Sequence, residues 1–106
     1  MTYQLQAPLL DACVLEIVAQ EDSYGYTLTQ KVREVVDISE STLYPVLRRL
    51  QKENLLETYD QPFQGRNRRY YRVTEAGKEK LNFYRDEWKE YQNKVDALIS
   101  GSTKEG

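Results

Sequence analysis

With 106 residues and a formal net charge of −2, the chain is long enough for one domain, or for one domain with an appended element. It contains no histidine, and no Gly-rich phosphate loop, nucleophile elbow or acidic metal cluster, so we expect neither an enzyme nor a bound metal or cofactor. Its amino end lacks a signal-peptide pattern, and no apolar run approaches the roughly 20 residues that span a bilayer, which favours a cytoplasmic protein.

Charge is distributed unevenly along the chain. Residues 1–40 carry seven acidic and two basic side chains, net −5, whereas residues 41–72 carry seven basic and three acidic ones, net +4. The remaining residues, 73–106, are close to neutral at net −1. Because a nucleic-acid-binding protein needs a local positive surface rather than a positive total, the middle of the chain is the part expected to meet DNA.

Two amphipathic helices are predicted in the first 36 residues. Residues 26–36 place Leu28, Val32 and Val35 inward, and Gly25 marks the turn between the two helices. Residues 9–20 form an apolar stripe that consists of Leu10, Cys13, Val14, Ile17 and Val18. Since Cys13 is the only cysteine, it excludes an internal disulfide, and we expect it to be a small buried hydrophobe.

The stretch "STLYPVLRRLQKEN", residues 41–54, predicts a third helix. Ser39 or Ser41 can cap it, and Pro45, which lacks an N–H, requires the regular helix to begin close to Ser41 or to bend there. At about 100° per residue, the inward face consists of Leu43, Val46, Leu47 and Leu50. The outward face and its flanks carry Ser41, Thr42 and Tyr44 near the start and the cations Arg48, Arg49 and Lys52 further along.

A basic β-hairpin is expected after the third helix. The runs "LLETYD" and "RRYYRV" alternate like strands, and "QPFQGRN" between them contains turn residues, so the loop should be longer than two residues. No acidic residue occurs among residues 61–74 to offset the crowded cations Arg66, Arg68, Arg69 and Arg72. Arg68 is preferred over Arg69 as a phosphate contact, because Arg69 shares a strand face with Tyr71 and Val73, and both Tyr70 and Tyr71 are expected to be structural.

A long final helix is predicted from about Glu75 to about Ser100, capped by Thr74. Its apolar positions follow the a/d spacing of a coiled-coil seam: Leu81, Tyr84, Trp88, Tyr91, Val95 and Leu98. Such a seam favours pairing with a second copy. We therefore predict a DNA-binding domain over residues 1–74 and a dimerisation helix and tail over residues 75–106, with Trp88 near the dimer axis.

Three short helices followed by a basic hairpin correspond to the winged helix-turn-helix, whose third helix enters the major groove. The predicted fold is therefore mainly α with a small β-hairpin: a winged helix-turn-helix plus a C-terminal dimerisation helix. The first residues of the third helix would contact base edges, while the cations would contact phosphates. The expected DNA-binding residues are Ser41, Thr42, Tyr44, Arg48, Arg49, Lys52, Arg66, Arg68 and Arg69.

Three stretches, "YGYTLTQKV", "STLYPVLRRLQKENLLE" and "GRNRRYYRVTEAGKEKL", resemble the PadR family of bacterial transcriptional regulators in order and spacing over about residues 7–81. The resemblance implies a homodimer completed by the C-terminal helices, here in the short form with one such helix. It also implies DNA contacts at Ser41, Thr42, Tyr44, Arg48, Arg66 and Arg68. Some similar regulators stack flat aromatic drugs on a tryptophan at the place of Trp88, where Tyr84 and Tyr91 would add aromatic walls.

Double-stranded DNA and a second copy of the chain are thus the expected partners, and the leading hypothesis is a dimeric repressor that binds a pseudo-palindromic operator. One alternative is a ligand-responsive, multidrug-sensing repressor with an aromatic pocket at the dimer interface. Another is a protein-interaction module without DNA affinity. The helix cations can also be an ordinary solvated face, Tyr44 can lie at the core edge, and Trp88 can simply pack the interface.

Overall fold

The structure is a computed structural model that describes residues 7–100, which form four helices and a three-stranded antiparallel sheet. The helices are α1 (Ala7–Gln20), α2 (Gly25–Val35), α3 (Glu40–Lys52) and α4 (Glu75–Ser100). The strands are β1 (Ser23–Tyr24), β2 (Leu56–Phe63) and β3 (Arg66–Val73), in the order β1-β3-β2. The prediction of a mainly α fold with a small β-hairpin is confirmed. Among the described residues, no helix has both the length and the apolar character that a membrane crossing requires.

The strand β1 joins the hairpin to the helices, and the sequence did not reveal it. Ser23 pairs with Tyr71, and Tyr24 pairs with Tyr70, both on β3. Two residues are too few for an alternating pattern to be recognised. Because α2 begins at Gly25, directly after β1, this short pairing fixes the start of α2 against the middle of the sheet.

The core is built from leucine and valine side chains of all four helices and of both long strands. Its buried members are Leu10, Val14, Leu15, Val18, Leu28, Val32, Leu43, Leu47, Leu50, Leu55, Leu56, Val73 and Leu81. Val35, predicted to face inward, is 74% exposed, because Val36 continues the four-residue spacing of Leu28 and Val32 and makes the core contact instead. Cys13 is only half-buried, and this burial raises the pKa of its thiol.

Helix α3 starts and ends with well-defined caps. The Ser39 hydroxyl accepts a hydrogen bond from the Thr42 N–H at 3.2 Å, which satisfies one of the free donors of the first turn. Pro45 lies inside the continuous helix, so the helix begins just before Ser41 and not at the proline. At the other end, Asn54 adopts a positive φ of 64°, a backbone conformation that commonly terminates helices.

We call β2, its turn and β3 (residues 56–73) the wing. Phe63 pairs with Arg66, so the turn contains only Gln64 and Gly65, and the predicted longer loop is wrong. Both turn residues have positive φ, 51° and 80°, as in the two-residue turns whose twist matches that of paired strands. Pro62 is tolerated within β2 because this strand lies at the edge of the sheet.

Helix α4 begins against the core and then leaves it. The Thr74 hydroxyl accepts from the Gly77 N–H at 2.9 Å and donates to the Asn54 carbonyl at 2.6 Å, which confirms the predicted cap. A Cβ on Gly77 would overlap with the Leu55 carbonyl oxygen. Leu81 is buried, but from residue 85 to residue 100 every side chain except the half-buried Val95 is exposed. The outer part of α4 therefore extends beyond the body of the chain.

Gly77→Ala should lower the free energy of unfolding by about 1–3 kcal/mol, because the methyl group has to push the Leu55 backbone aside. Glu79→Ala, at an exposed position of the same helix, is the control and should change stability by less than about 0.5 kcal/mol. Urea unfolding followed by circular dichroism measures both variants. Equal stability of the two would show that this close approach is not a constraint.

Candidate nucleic-acid interface

The outward face of α3 presents hydroxyl groups first and cations later. Ser41, Thr42, Tyr44, Arg48 and Lys52 are all exposed, as predicted. The hydroxyls of Ser41 and Thr42 lie 3.1 and 2.9 Å from the Ser39 hydroxyl, so three small polar groups are clustered at the helix N-terminus, where the helix dipole favours anions. Within residues 7–100, neither Arg48 nor Lys52 takes part in an ion pair, so both charges remain open to an external anion.

Arg49 differs from its neighbour Arg48, because it is bound within the chain. One of its terminal nitrogens donates to an Asp11 carboxylate oxygen at 2.6 Å, and the other lies 3.5 Å from a Glu53 carboxylate oxygen. Asp11 is only 4% exposed, and its hydrogen bond and negative charge raise the pKa of Arg49. The Arg49 side chain thus neutralises a buried carboxylate of α1, while its DNA contact, expected from the sequence, stays a prediction.

Tyr84 of α4 approaches the same carboxylate. Burial raises the pKa of Tyr84, and the negative charge of Asp11 contributes to the rise. Asp11 thus interacts with α3 through Arg49 and with α4 through Tyr84. No sequence pattern indicates this cluster, since its three members are separated by 38 and 35 positions.

The inner face of β3 turns Arg69 toward α3. Tyr71 shares this face and is packed against the core, and burial raises the pKa of its hydroxyl while the positive charges of Arg69 and Arg48 oppose the rise. Both guanidinium groups therefore act on one hydroxyl from two different elements. Arg69 is held only loosely by Asp60, at 3.8 Å, and its side chain is 63% exposed.

Arg68 lies on the opposite, outer face of the sheet. Its guanidinium carbon is 3.8 Å from the centre of the Phe63 ring and 4.4 Å from that of Tyr24. The sequence favoured Arg68 over Arg69 as a phosphate contact, but Arg69 is the one that shares the Tyr71 face of the sheet, near Arg48 of α3. Arg66, beside the turn, is exposed and has no ion pair with any residue from 7 to 100.

The predicted seam on α4 divides into a buried and an exposed part. Leu81 is 3% exposed and belongs to the chain's own core, because the first turns of α4 pack on the rest of the domain, so its assignment to the seam needs correction. Tyr84 is half-buried, and the exposed fractions of Trp88, Tyr91 and Leu98 are 42%, 61% and 82%. These last three, with the half-buried Val95, are free to meet a second chain.

An apolar groove of about 450 Å³ is lined by residues of α1, the end of α2 and α4. We call it the α4 groove; it is lined by Leu9, Ala12, Cys13, Glu16, Ile17, Val35, Val36, Leu81, Tyr84, Arg85 and Trp88. Of the three aromatic residues predicted to form a ligand site, Tyr84 and Trp88 line this groove, whereas Tyr91 does not. The centres of the Tyr91 and Trp88 rings are nevertheless 6.0 Å apart.

Sequence comparisons place this chain among regulators of transcription. Residues 14–82 match the model of the transcriptional regulator PadR-like family. An uncharacterized protein of Lysinibacillus sphaericus is 34% identical over 97 residues, which cover 87% of this chain and 89% of that protein. The transcriptional regulator Rv3488 of Mycobacterium tuberculosis is 39% identical over 69 residues, or 64% of each chain.

Solved structures agree with this result. The protein smu.1704 of Streptococcus mutans has a TM-score of 0.89 and 39% identity, with 98% of each chain covered. A PadR-like transcriptional regulator of Bacillus cereus has a TM-score of 0.79 and 35% identity, with 85% of this chain and 90% of that chain covered. A PadR family transcription regulator of Clostridium difficile has a TM-score of 0.74 and 31% identity, with 85% of this chain and 96% of that chain covered.

Arg49→Ala should lower the free energy of unfolding by about 1–3 kcal/mol, because it leaves the Asp11 carboxylate buried without its cation. Arg48→Ala, the adjacent and exposed arginine, is the matched control and should shift stability by less than about 0.5 kcal/mol. Chemical unfolding of both variants measures the difference. Equal stability of the two variants would show that the Asp11 carboxylate does not depend on Arg49.

Proposed function

The chain belongs to the PadR-like family of transcriptional regulators, and from this membership we propose that it is a homodimeric repressor that binds a pseudo-palindromic operator. Members of the family bind DNA and regulate transcription, and they are not enzymes. One observation carries the proposal: Arg48 of α3 and Arg69 of the wing bring positive charge to the same site beside Tyr71. This is the arrangement that a duplex, with its two phosphate backbones, requires.

The α3 helix would read the sequence from its N-terminal end. Ser41, Thr42 and Tyr44 carry exposed hydroxyls there, which can both donate to and accept from base edges in the major groove. Arg48 and Lys52 follow one and two turns later, where the groove walls supply phosphates. We leave Arg49 out of the proposed interface, because its guanidinium is bound to Asp11.

The wing would contribute positive charge at two positions, one beside the turn and one further along β3. Arg66 lies at the turn, where it can reach the neighbouring groove or its phosphate backbone. Arg69 lies further along β3 on the face toward α3, and it would approach the same backbone as Arg48. The proposed DNA-binding unit is thus residues 1–74, of which the structure describes residue 7 onward.

A second copy of the chain would cover the exposed apolar side of α4, within the proposed dimerisation region of residues 75–106. Trp88, Tyr91 and Leu98 present large apolar surfaces to water, and burying them against a partner is favourable at roughly 25 cal/mol per Å². A twofold dimer would place two α3 helices on half-sites about 34–36 Å apart, and such a dimer represses by blocking polymerase. The cytoplasmic location expected from the sequence remains a prediction.

Ligand response is a second candidate function, and the α4 groove supports it. Its volume of about 450 Å³ falls within the roughly 300–1,000 Å³ of small-molecule sites. Tyr84 and Trp88 provide aromatic surfaces in its wall, on which a flat aromatic effector can stack. In this version of the proposal the DNA interface is unchanged, and the effector would adjust how two copies are held together.

The DNA interface is tested with duplexes selected from a random pool. Combining Arg48→Ala with Arg69→Ala should weaken duplex binding and reduce the slope of log affinity against log salt by roughly 0.9 for each phosphate that is no longer neutralised. Lys89→Ala, on the exposed side of α4, should leave both quantities unchanged. Fluorescence anisotropy at several salt concentrations gives affinity and slope. Unchanged binding by the double variant refutes this interface, and failure of the parent protein to select any duplex favours an interaction module without DNA affinity.

Dimerisation is tested by placing a charge on the exposed seam. Val95→Asp should give folded monomers, because a carboxylate in the interface would be buried without a partner, whereas Leu81→Asp should unfold the chain by disrupting its own core. Lys89→Asp introduces the same group outside the seam and should remain dimeric. Sedimentation velocity and circular dichroism separate these results. An intact Val95→Asp dimer would place the subunit contact elsewhere.

A further inference from the structure

The outer face of the sheet carries a continuous stack of rings and guanidinium groups that the proposed DNA interface does not use. The Tyr59 and Tyr70 rings are stacked with centroids 5.6 Å apart, and Tyr24 lies 5.9 Å from Tyr70. At the base of the sheet, Arg72 covers the Tyr59 ring at 4.9 Å and binds Glu57 at 2.8 Å. At the opposite end, toward the turn, Arg68 lies between the rings of Tyr24 and Phe63.

Arg68 lies on β3 just beyond the residues that pair with β1, where the sheet narrows from three strands to two. The strand β1 pairs with β3 only through Tyr70 and Tyr71, so from residue 69 to the turn the wing is a two-stranded ribbon. Among residues 60–69, Arg68 is the one residue that is half-buried, and the others are exposed. Its guanidinium spans from Phe63, next to the turn, back to Tyr24 on β1.

We propose that Arg68 is a positioning residue that clamps the end of the wing to β1 and so fixes the turn relative to α3, and that it is not a phosphate contact. Its planar guanidinium, carried by β3, contacts the ring of Phe63 on β2 and the ring of Tyr24 on β1. These contacts hold the two strands of the wing against β1. Because β1 leads directly into α2, the clamp connects the turn to the helical body. This inference rests on the proposed DNA-binding function, because its purpose is to hold Arg66 and Arg69 in place.

Arginine is required at this position for its shape as well as for its charge. A guanidinium is flat, weakly hydrated and able to stack on aromatic rings, whereas the ammonium group of lysine is compact and strongly hydrated. A lysine would keep a phosphate contact but lose the clamp. The two roles therefore predict opposite results for the conservative substitution Arg68→Lys.

The first measurement needs no DNA. Arg68→Lys should speed hydrogen exchange of the paired amides in residues 61–68 by about tenfold, while the exchange of buried helix amides and the midpoint of global unfolding stay unchanged. Phe63→Leu removes one ring of the clamp and should produce the same local effect. Arg66→Lys, at a neighbouring arginine that covers no aromatic ring within residues 7–100, should leave exchange as it is. Unaltered exchange in Arg68→Lys and Phe63→Leu overturns the clamp.

The second measurement uses the selected duplex. Arg68→Lys should lower affinity by about three- to tenfold without changing the salt slope, and adding Phe63→Leu should cause no further loss, since both changes break one clamp. Full affinity in Arg68→Lys, together with a slope reduced by roughly 0.9 in Arg68→Gln, would instead identify Arg68 as a phosphate contact. If the parent protein binds no duplex, the proposed function fails, while the exchange measurement still decides whether the clamp exists.

Discussion

A buried carboxylate on α1 helps to determine which side of α3 faces outward. Asp11 is almost completely removed from water, and a charge in that position is costly unless a cation satisfies it. Arg49 provides the cation at 2.6 Å. Once Arg49 points toward α1, the adjacent Arg48 is rotated by about 100° and projects to the outside. The Asp11–Arg49 ion pair and the buried leucines of α3 therefore favour the same orientation of the helix about its axis. In this orientation Ser41, Thr42 and Tyr44 are exposed.

The strand β3 provides a second constraint, because successive side chains point to opposite faces of a sheet. Its inner face carries Val73 into the core and Arg69 toward α3, while its outer face carries Arg68 and Arg72 among aromatic rings. Four arginines close in sequence thus have three different roles: exposed charge at Arg66 and Arg69, aromatic stacking at Arg68, and an ion pair with Glu57 at Arg72. A local excess of positive charge led the sequence analysis to this segment of the chain, but only the alternation of side chains along the strand assigns each arginine to one face.

The features that sequence predicted are those with local causes. The limits of α4, the Thr74 cap and the hairpin follow from periodicity, capping chemistry and turn residues, all within a few positions. The features that it missed depend on distant partners: β1 exists because β3 pairs with it, and Arg49 turns inward because of Asp11, 38 positions away. Leu81 fits the heptad seam of α4 as well as the core stripe, since both repeats include it. Only the packing of α4 on the domain decides between them.

The Asp11 carboxylate also links α4, the proposed dimerisation helix, to α3, the proposed recognition helix. Tyr84 of α4 and Arg49 of α3 both interact with Asp11, so the helix that would join two subunits and the helix that would read a half-site share one buried anchor. The spacing between two α3 helices in a dimer depends on the angle between α3 and α4 within each subunit. Because Tyr84 also lines the α4 groove, a molecule seated in that groove would act on the wall nearest this anchor. Under the proposed ligand response, a shift of Tyr84 would therefore act directly on Asp11, the residue that also binds Arg49 of α3.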